Sequence, residues 1–215
     1  MAIDINHFIQ LRPYLYHLTG QQNVSYIQKD MVLKPAGILI AEAGENALNR
    51  KVRRGKHVIR IGEREVYVRD QDPLFSGNIH FADGWTIEDF VEYLNRHVFF
   101  WPGWNNQPVK SGSHHFKRYA EEEPRPRILR VAAKDLFAAN NGIEPLFCQY
   151  NSGAPRCSRG YKSPRSTRTF VTADNFALSV CRVVEVTFRS PVRLPVSVQL
   201  ACSISGPWRP LLQCV

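Results

Sequence analysis

A chain of 215 residues, 44% apolar and 22% charged, has the composition of an ordinary globular domain rather than a disordered segment. It is also long enough to bury a core without disulfide staples. Its formal charge of +9, from 28 Lys and Arg against 19 Asp and Glu, favours a polyanionic partner over an acidic protein. No run approaches the ~20 apolar residues that a bilayer crossing needs, and MAIDINHF has no basic segment leading into an apolar one. The expectation is a protein with neither secretory leader nor membrane partner. Five scattered cysteines (Cys148, Cys157, Cys181, Cys202, Cys214) without a C-x-x-C read as free thiols of a reducing cytoplasm. No metal is expected, because closely spaced ligand pairs are missing and the adjacent His114 and His115 would face opposite ways on a strand.

YLYHL at 14–18 alternates and is rich in aromatics, which predicts a short strand. Thr19 or Asn23 is placed to cap a short helix with Val24 and Ile27 turned inward. Residues 38–54 resemble a helix that turns basic toward its end, where positive charge suits the macrodipole. HVIRIGEREVYVR at 57–69 predicts a hairpin turning at Gly62-Glu63. TIEDFVEYLNRH gives the clearest helix, with Thr86 as N-cap, Glu88 and Asp89 in the first turn, and Phe90, Val91 and Leu94 on one face. HVFFWPG then predicts a buried aromatic strand stopped by Pro102 and Gly103. A strand over 127–133, a helical turn in KDLFAAN, a strand running into a loop over 146–154 and a strand over 181–195 complete the order. The apolar tail has no clear period. The sum is one α+β domain of about six to eight short strands and three or four helices.

Several residues could carry chemistry. His17 sits between apolar neighbours. An imidazole can donate and accept at once, matching a sugar diol, although such a histidine can also be a core residue satisfied by a backbone carbonyl. Glu185 lies among valines, where a carboxylate is costly unless compensated; simple alternation would instead turn it to water. Arg69 could pair with phosphate oxygens or join a surface ion pair, and Asp70 and Gln71 read as exposed. Phe99, Phe100 and Trp101 read as core, with Phe99 and Trp101 on one side and Phe100 on the other. Asn151 and Ser152 beside Gly153 read either as an ordinary turn or as a place of close ligand approach. Residues 50–64 hold seven basic residues and 156–168 hold five. Either stretch could be a solvated face. As a grip on nucleic acid, the second would use Arg159, Lys162, Arg165 and Arg168 with Tyr161 and Phe170 as stacking rings. The first would add Arg53 and Arg54, as a lid or clamp.

LYHLT at 15–19, the N-x-x-x-I that follows it, VRDQDPL at 68–74, LNRHVFFWPG at 94–103, YNSGAP at 150–155, SPRSTRTF at 163–170 and VVEVTF at 183–188 form an ordered series. The series resembles ADP-ribosyltransferases, in particular the DarT-like toxins and a related bacterial family. It spans roughly 12–37 and 66–196, leaving 38–65 as a basic insert and 196–215 as a C-terminal extension of a single domain. The resemblance implies an ADP-ribosyltransferase-like split β-sheet core with short flanking helices, NAD as ADP-ribose donor, and the setting of a toxin or anti-phage effector with a possible cognate antitoxin protein. It gives Glu185 and Arg69 catalytic roles, and sets Tyr16, His17, Thr19, Phe99, Asn151 and Ser152 around NAD. The usual stacking tyrosine has no counterpart here, so which aromatic residue meets nicotinamide stays open. Basic charge beside these residues points to single-stranded DNA or RNA as acceptor. A protein acceptor, NAD hydrolysis, or a nucleic-acid-binding module without catalysis are the alternatives.

Overall fold

The computed structural model describes residues 2–213 and mixes helices with mostly antiparallel strands, as an α+β reading expects. Six α-helices and fifteen strands occur among the described residues. That is more than predicted, because many strands are only two or three residues long and too short to leave a period. None of the helices described is long and apolar enough to cross a membrane.

One sheet organises the chain. Its strands run in the order Arg209–Pro210, Gln199–Ala201, Arg127–Ala132, Tyr14–Thr19, Val98–Trp104, Glu185–Phe188 and Leu146–Cys148. Neighbours along this path pair antiparallel. Alternation sorts the side chains. Leu15, Phe100, Leu129, Val131, Val186 and Phe188 enter a core with Phe8 of helix Ile5–Leu11 and Leu136 of helix Ala133–Ala139. Each such burial stabilises by about 1.5–3 kcal/mol. Tyr16, Trp101 and Ile128 pack instead against Phe116 of helix Lys110–Arg118.

The sheet parts at Val98–Trp104. The later half of this strand pairs with Tyr14–Tyr16, a ladder ending at Tyr16 opposite Trp101, while its first half pairs with Val186–Phe188 on the other edge. Beyond Tyr16 the His17 side chain replaces the missing ladder partner, with Nδ1 2.9 Å from the Phe99 carbonyl oxygen. The strand does not stop at Pro102 and Gly103 as expected. Pro102 sits opposite Leu15 and accepts the Val109 amide at 2.9 Å, so its missing N–H is not needed. At Gly103 a Cβ would lie 2.2 Å from the Gln107 carbonyl oxygen, so the turn back to Gln107–Pro108 closes only without a side chain. Gly103→Ala is expected to cost about 1–3 kcal/mol, read as a lower thermal midpoint with far-ultraviolet circular dichroism unchanged.

Other expectations hold or move for local reasons. Thr86 caps helix Ile87–Asn95 through a capping box with Asp89, and the hairpin His57–Ile61/Arg64–Val68 turns at Gly62 with φ +60°. The helix expected over 38–54 is Ala36–Glu42; it ends before Gly44 at φ +74°, and only a 3-10 turn, Asn46–Arg50, follows. The strand expected over 181–195 is Glu185–Phe188, preceded by the 3-10 turn Val180–Arg182. Asn23 caps nothing with its side chain and instead exchanges two hydrogen bonds with the Tyr67 backbone, at 2.8 and 2.7 Å. The C-terminal extension adds two strands to the main sheet, and Trp208 lies under Arg130, 4.3 Å from guanidinium carbon to ring centre. Cys148, Cys157, Cys181 and Cys202 are free thiols; Cys214 lies outside the described residues.

Candidate active site

A cleft of about 230 Å³ lies against the parted strands. The motifs read from the sequence supply its walls: His17 and Thr19, Arg69 and Asp70, Phe99 and Trp101, Asn151 and Ser152, and Glu185. The supposed insert contributes Leu39 and Arg53.

Glu185 is 2% exposed and does not face water, which overturns the alternation alternative. Val186 and Phe188 enter the core, which leaves Glu185 on the cleft side of its strand. The Ser152 amide donates to Oε1 at 3.1 Å, and Oε2 is buried without a partner. Burial pushes the carboxyl pKa up to about 7, against the pull of Ser152 and of the Arg165 charge. The Ser152 loop is held from behind by Arg165, which donates to the carbonyl oxygens of Asn151 at 3.1 Å, Ser152 at 3.3 Å and Pro164 at 2.7 Å.

His17 donates Nδ1–H to Phe99, since a carbonyl oxygen can only accept. Burial, assisted by the Arg69 charge, holds its pKa down at about 4. The neutral ring therefore keeps Nε2 as an acceptor for a ligand, where the sequence reading gave it both roles. Both histidine readings are realised together: the ring is satisfied by a carbonyl and lines the cleft. Arg69 is paired at Nη1 with Glu122 at 2.7 Å and lies over the Tyr119 ring at 4.3 Å, while its Nε and Nη2 are buried and unpartnered. Asp70 is buried rather than exposed, accepting from the Tyr119 hydroxyl at 2.8 Å and the Asp72 amide at 3.0 Å.

Some expected contacts are elsewhere. Tyr16 lies outside the cleft: its ring packs near Phe116 and Trp208, and its hydroxyl donates to the Trp104 carbonyl. Arg165, 1% exposed, and Arg53, 4% exposed, are interior and cannot grip nucleic acid on a surface; Phe170 is buried beside Tyr93 and His97. Arg54 is exposed, but its guanidinium is held by the carbonyl oxygens of Gln71, Asp72 and Leu74. Arg159, Lys162 and Arg168 do lie on the surface, the first two with the 72%-exposed Tyr161 on the hairpin Cys157–Ser158/Tyr161–Arg165 and Arg168 in the 3-10 turn Thr167–Thr169 that follows.

Sequence reasoning missed His97 and His115. His97 donates Nδ1–H to the Tyr93 carbonyl at 2.8 Å and leaves a buried Nε2 unpartnered in the cleft. Its place just before the aromatic strand was the available signal. His115 stacks on Trp101 at 4.3 Å between ring centres. It belongs to helix Lys110–Arg118, not to a strand, so the alternation applied to His114 and His115 does not hold. Burial holds the pKa of His97 at about 4 and of His115 at about 3, with nearby arginine charge adding to both. The cleft is lined by three neutral histidines, two arginines and two carboxyl groups, those of Asp70 and Glu185.

The model of one protein family, described as a family of unknown function (DUF7002), matches residues 13–198. No curated protein and no solved structure matches the chain. That match takes in the cleft walls from His17 to Glu185 and all but the last two strands of the central sheet, and the chain belongs to this family, DUF7002.

Proposed function

We propose that this protein is an NAD-dependent ADP-ribosyltransferase whose acceptor is a nucleic acid. The observation that carries the reading is a group of buried polar atoms left without partners in one cleft, among them Oε2 of Glu185, Nε and Nη2 of Arg69, Nε2 of His97 and Nε1 of Trp101. Orphaned buried groups cost about 1–3 kcal/mol each, and a ligand with anionic, hydroxyl and aromatic parts would satisfy them together. NAD has all three, and its glycosidic bond to nicotinamide is already activated by the cationic ring. Arg69 offers its free guanidinium edge to phosphate oxygens. His17 accepts a ribose hydroxyl at Nε2. Glu185, beside the sugar, stabilises the positive charge that develops as that bond breaks. The bond's electron pair leaves with neutral nicotinamide, the sugar carbon gains the acceptor's oxygen or nitrogen, and the acceptor's proton passes to the Glu185 carboxylate and on to solvent.

The hairpin bearing Arg159, Tyr161 and Lys162 follows directly on the Asn151–Ala154 rim of the cleft and suits a strand of stacked bases. The resemblance adds the setting of a cytoplasmic toxin or anti-phage effector. Incubation with labelled NAD and short single-stranded DNA or RNA is expected to move label to the oligonucleotide. Label resistant to nuclease would assign a protein acceptor, free ADP-ribose a hydrolase. Oligonucleotide binding without nicotinamide release would leave only a binding module. Hydrolysis is the second reading, because Arg53 and Arg165 are interior and the acceptor surface is smaller than the sequence led one to expect.

A further inference from the structure

Arg53 is the least explained charge in the molecule. It lies outside the motif series, on the segment between the 3-10 turn Asn46–Arg50 and the hairpin, yet it is 4% exposed and lines the cleft. Its Nε donates to the Arg69 carbonyl oxygen at 3.0 Å, and its Nη1 is buried with no partner. Asp70 acts on it electrostatically, but that carboxylate is engaged by Tyr119 and the Asp72 amide. Among the described residues no ion pair forms on Arg53, whereas Arg69 has Glu122. A buried guanidinium without a countercharge is costly. A second guanidinium, that of Arg69, whose carbonyl oxygen Arg53 holds, lines the same cleft with two unmade N–H groups.

We infer that Arg53 and Arg69 form a two-arginine clamp for a diphosphate, the part of a dinucleotide that carries its charge. An anion with oxygens on two phosphorus atoms satisfies both guanidinium edges and supplies the countercharge that Arg53 lacks. A single carboxylate would satisfy one edge. The aromatic walls at Trp101, His115 and Phe99 suit the rings on either side of such a group. The inference rests on the dinucleotide reading for its ligand, but the clamp can be tested without any turnover.

Calorimetry on the full chain with ADP-ribose, inorganic pyrophosphate and adenosine separates the contributions. ADP-ribose and pyrophosphate are expected to bind with marked salt dependence, and adenosine much more weakly. Arg53→Lys keeps the charge but loses the fork, and is expected to weaken ADP-ribose about 10- to 100-fold. Arg60→Met, on the exposed strand of the same basic stretch, is expected to change nothing. Should Arg53→Lys fail to fold, wild-type protein with 15N-labelled arginine serves instead: pyrophosphate is expected to shift a protected, buried guanidinium resonance. Equal affinity of Arg53→Lys and wild type for ADP-ribose, or no arginine shift on adding pyrophosphate, overturns the clamp even if NAD is turned over. Binding with the expected Arg53 dependence and no nicotinamide release keeps the clamp and removes the transferase.

Discussion

Glu185→Gln is expected to lower ADP-ribosyl transfer by about 10²–10⁴-fold and, at the same time, to make the protein more stable at pH 8. The two effects have one origin. Glutamine is isosteric and can still accept the Ser152 amide, but it can neither take the acceptor's proton nor hold a negative charge near the sugar. The wild-type carboxyl has its folded pKa raised by burial to about 7, against about 4.3 in an unfolded chain. Between those values the folded state keeps a proton that the unfolded state has lost, so stability falls as pH rises through this window. Above it the folded protein bears the whole cost of the buried charge, on the order of 3 kcal/mol. Glutamine does not ionise. The variant should therefore match wild type near pH 4 and exceed it at pH 8 by several degrees, at about 2–4 °C per kcal/mol for a chain of this size. Scanning calorimetry at the two pH values measures this, and parallel curves for the two proteins would show that Glu185 is not buried as an acid. Activity of the wild type should climb with pH through about 7 as the carboxylate forms.

What was legible in the sequence divides by how local its cause is. The start and apolar face of helix Ile87–Asn95 were readable because its cap, first-turn acids and apolar residues all lie within one short stretch. The hairpin at Gly62 was readable because a two-residue turn writes its own signal. Two walls of the cleft were found through short motifs that set a polar residue against apolar neighbours, His17 in LYHLT and Glu185 in VVEVTF. The use of the arginines was not legible. Arg50 pairs with Asp89 and Glu92, Arg54 holds three carbonyl oxygens, and Arg165 is buried, although in sequence each belongs to a stretch that reads as basic surface. Charge is visible in composition; its partner depends on which distant backbone arrives beside it, and no periodicity encodes that.

Arg165→Met is expected to cost about 3–5 kcal/mol, the range for removing one member of a buried charged network. Its guanidinium donates to three carbonyl oxygens and to Ser163 Oγ, and it is among the largest of the fully buried side chains. Methionine fills much of the same volume but makes none of these bonds. The carbonyls of Asn151, Ser152 and Pro164 would be left dry and unpaired, at about 1–3 kcal/mol for each that water cannot reach. A fall in thermal midpoint of roughly 10 °C follows. Lysine should recover only part of it, because an ammonium cannot fork across two neighbouring carbonyls. The loss should also reach the cleft. With the Ser152 loop loosened, the amide that donates to Glu185 Oε1 is less well held, and the positive charge that draws the carboxyl pKa down is gone. The pKa of Glu185, followed by carbon-13 carboxyl titration, should move above its wild-type value in Arg165→Met and less so in Arg165→Lys. Arg168, three residues on and exposed, is the contrast: Arg168→Met should leave stability within about 0.5 kcal/mol and the Glu185 titration where it was, while weakening oligonucleotide binding and its salt dependence. If the two arginine variants instead behaved alike, Arg165 would be a surface residue and the support assigned to the Glu185 loop would be wrong.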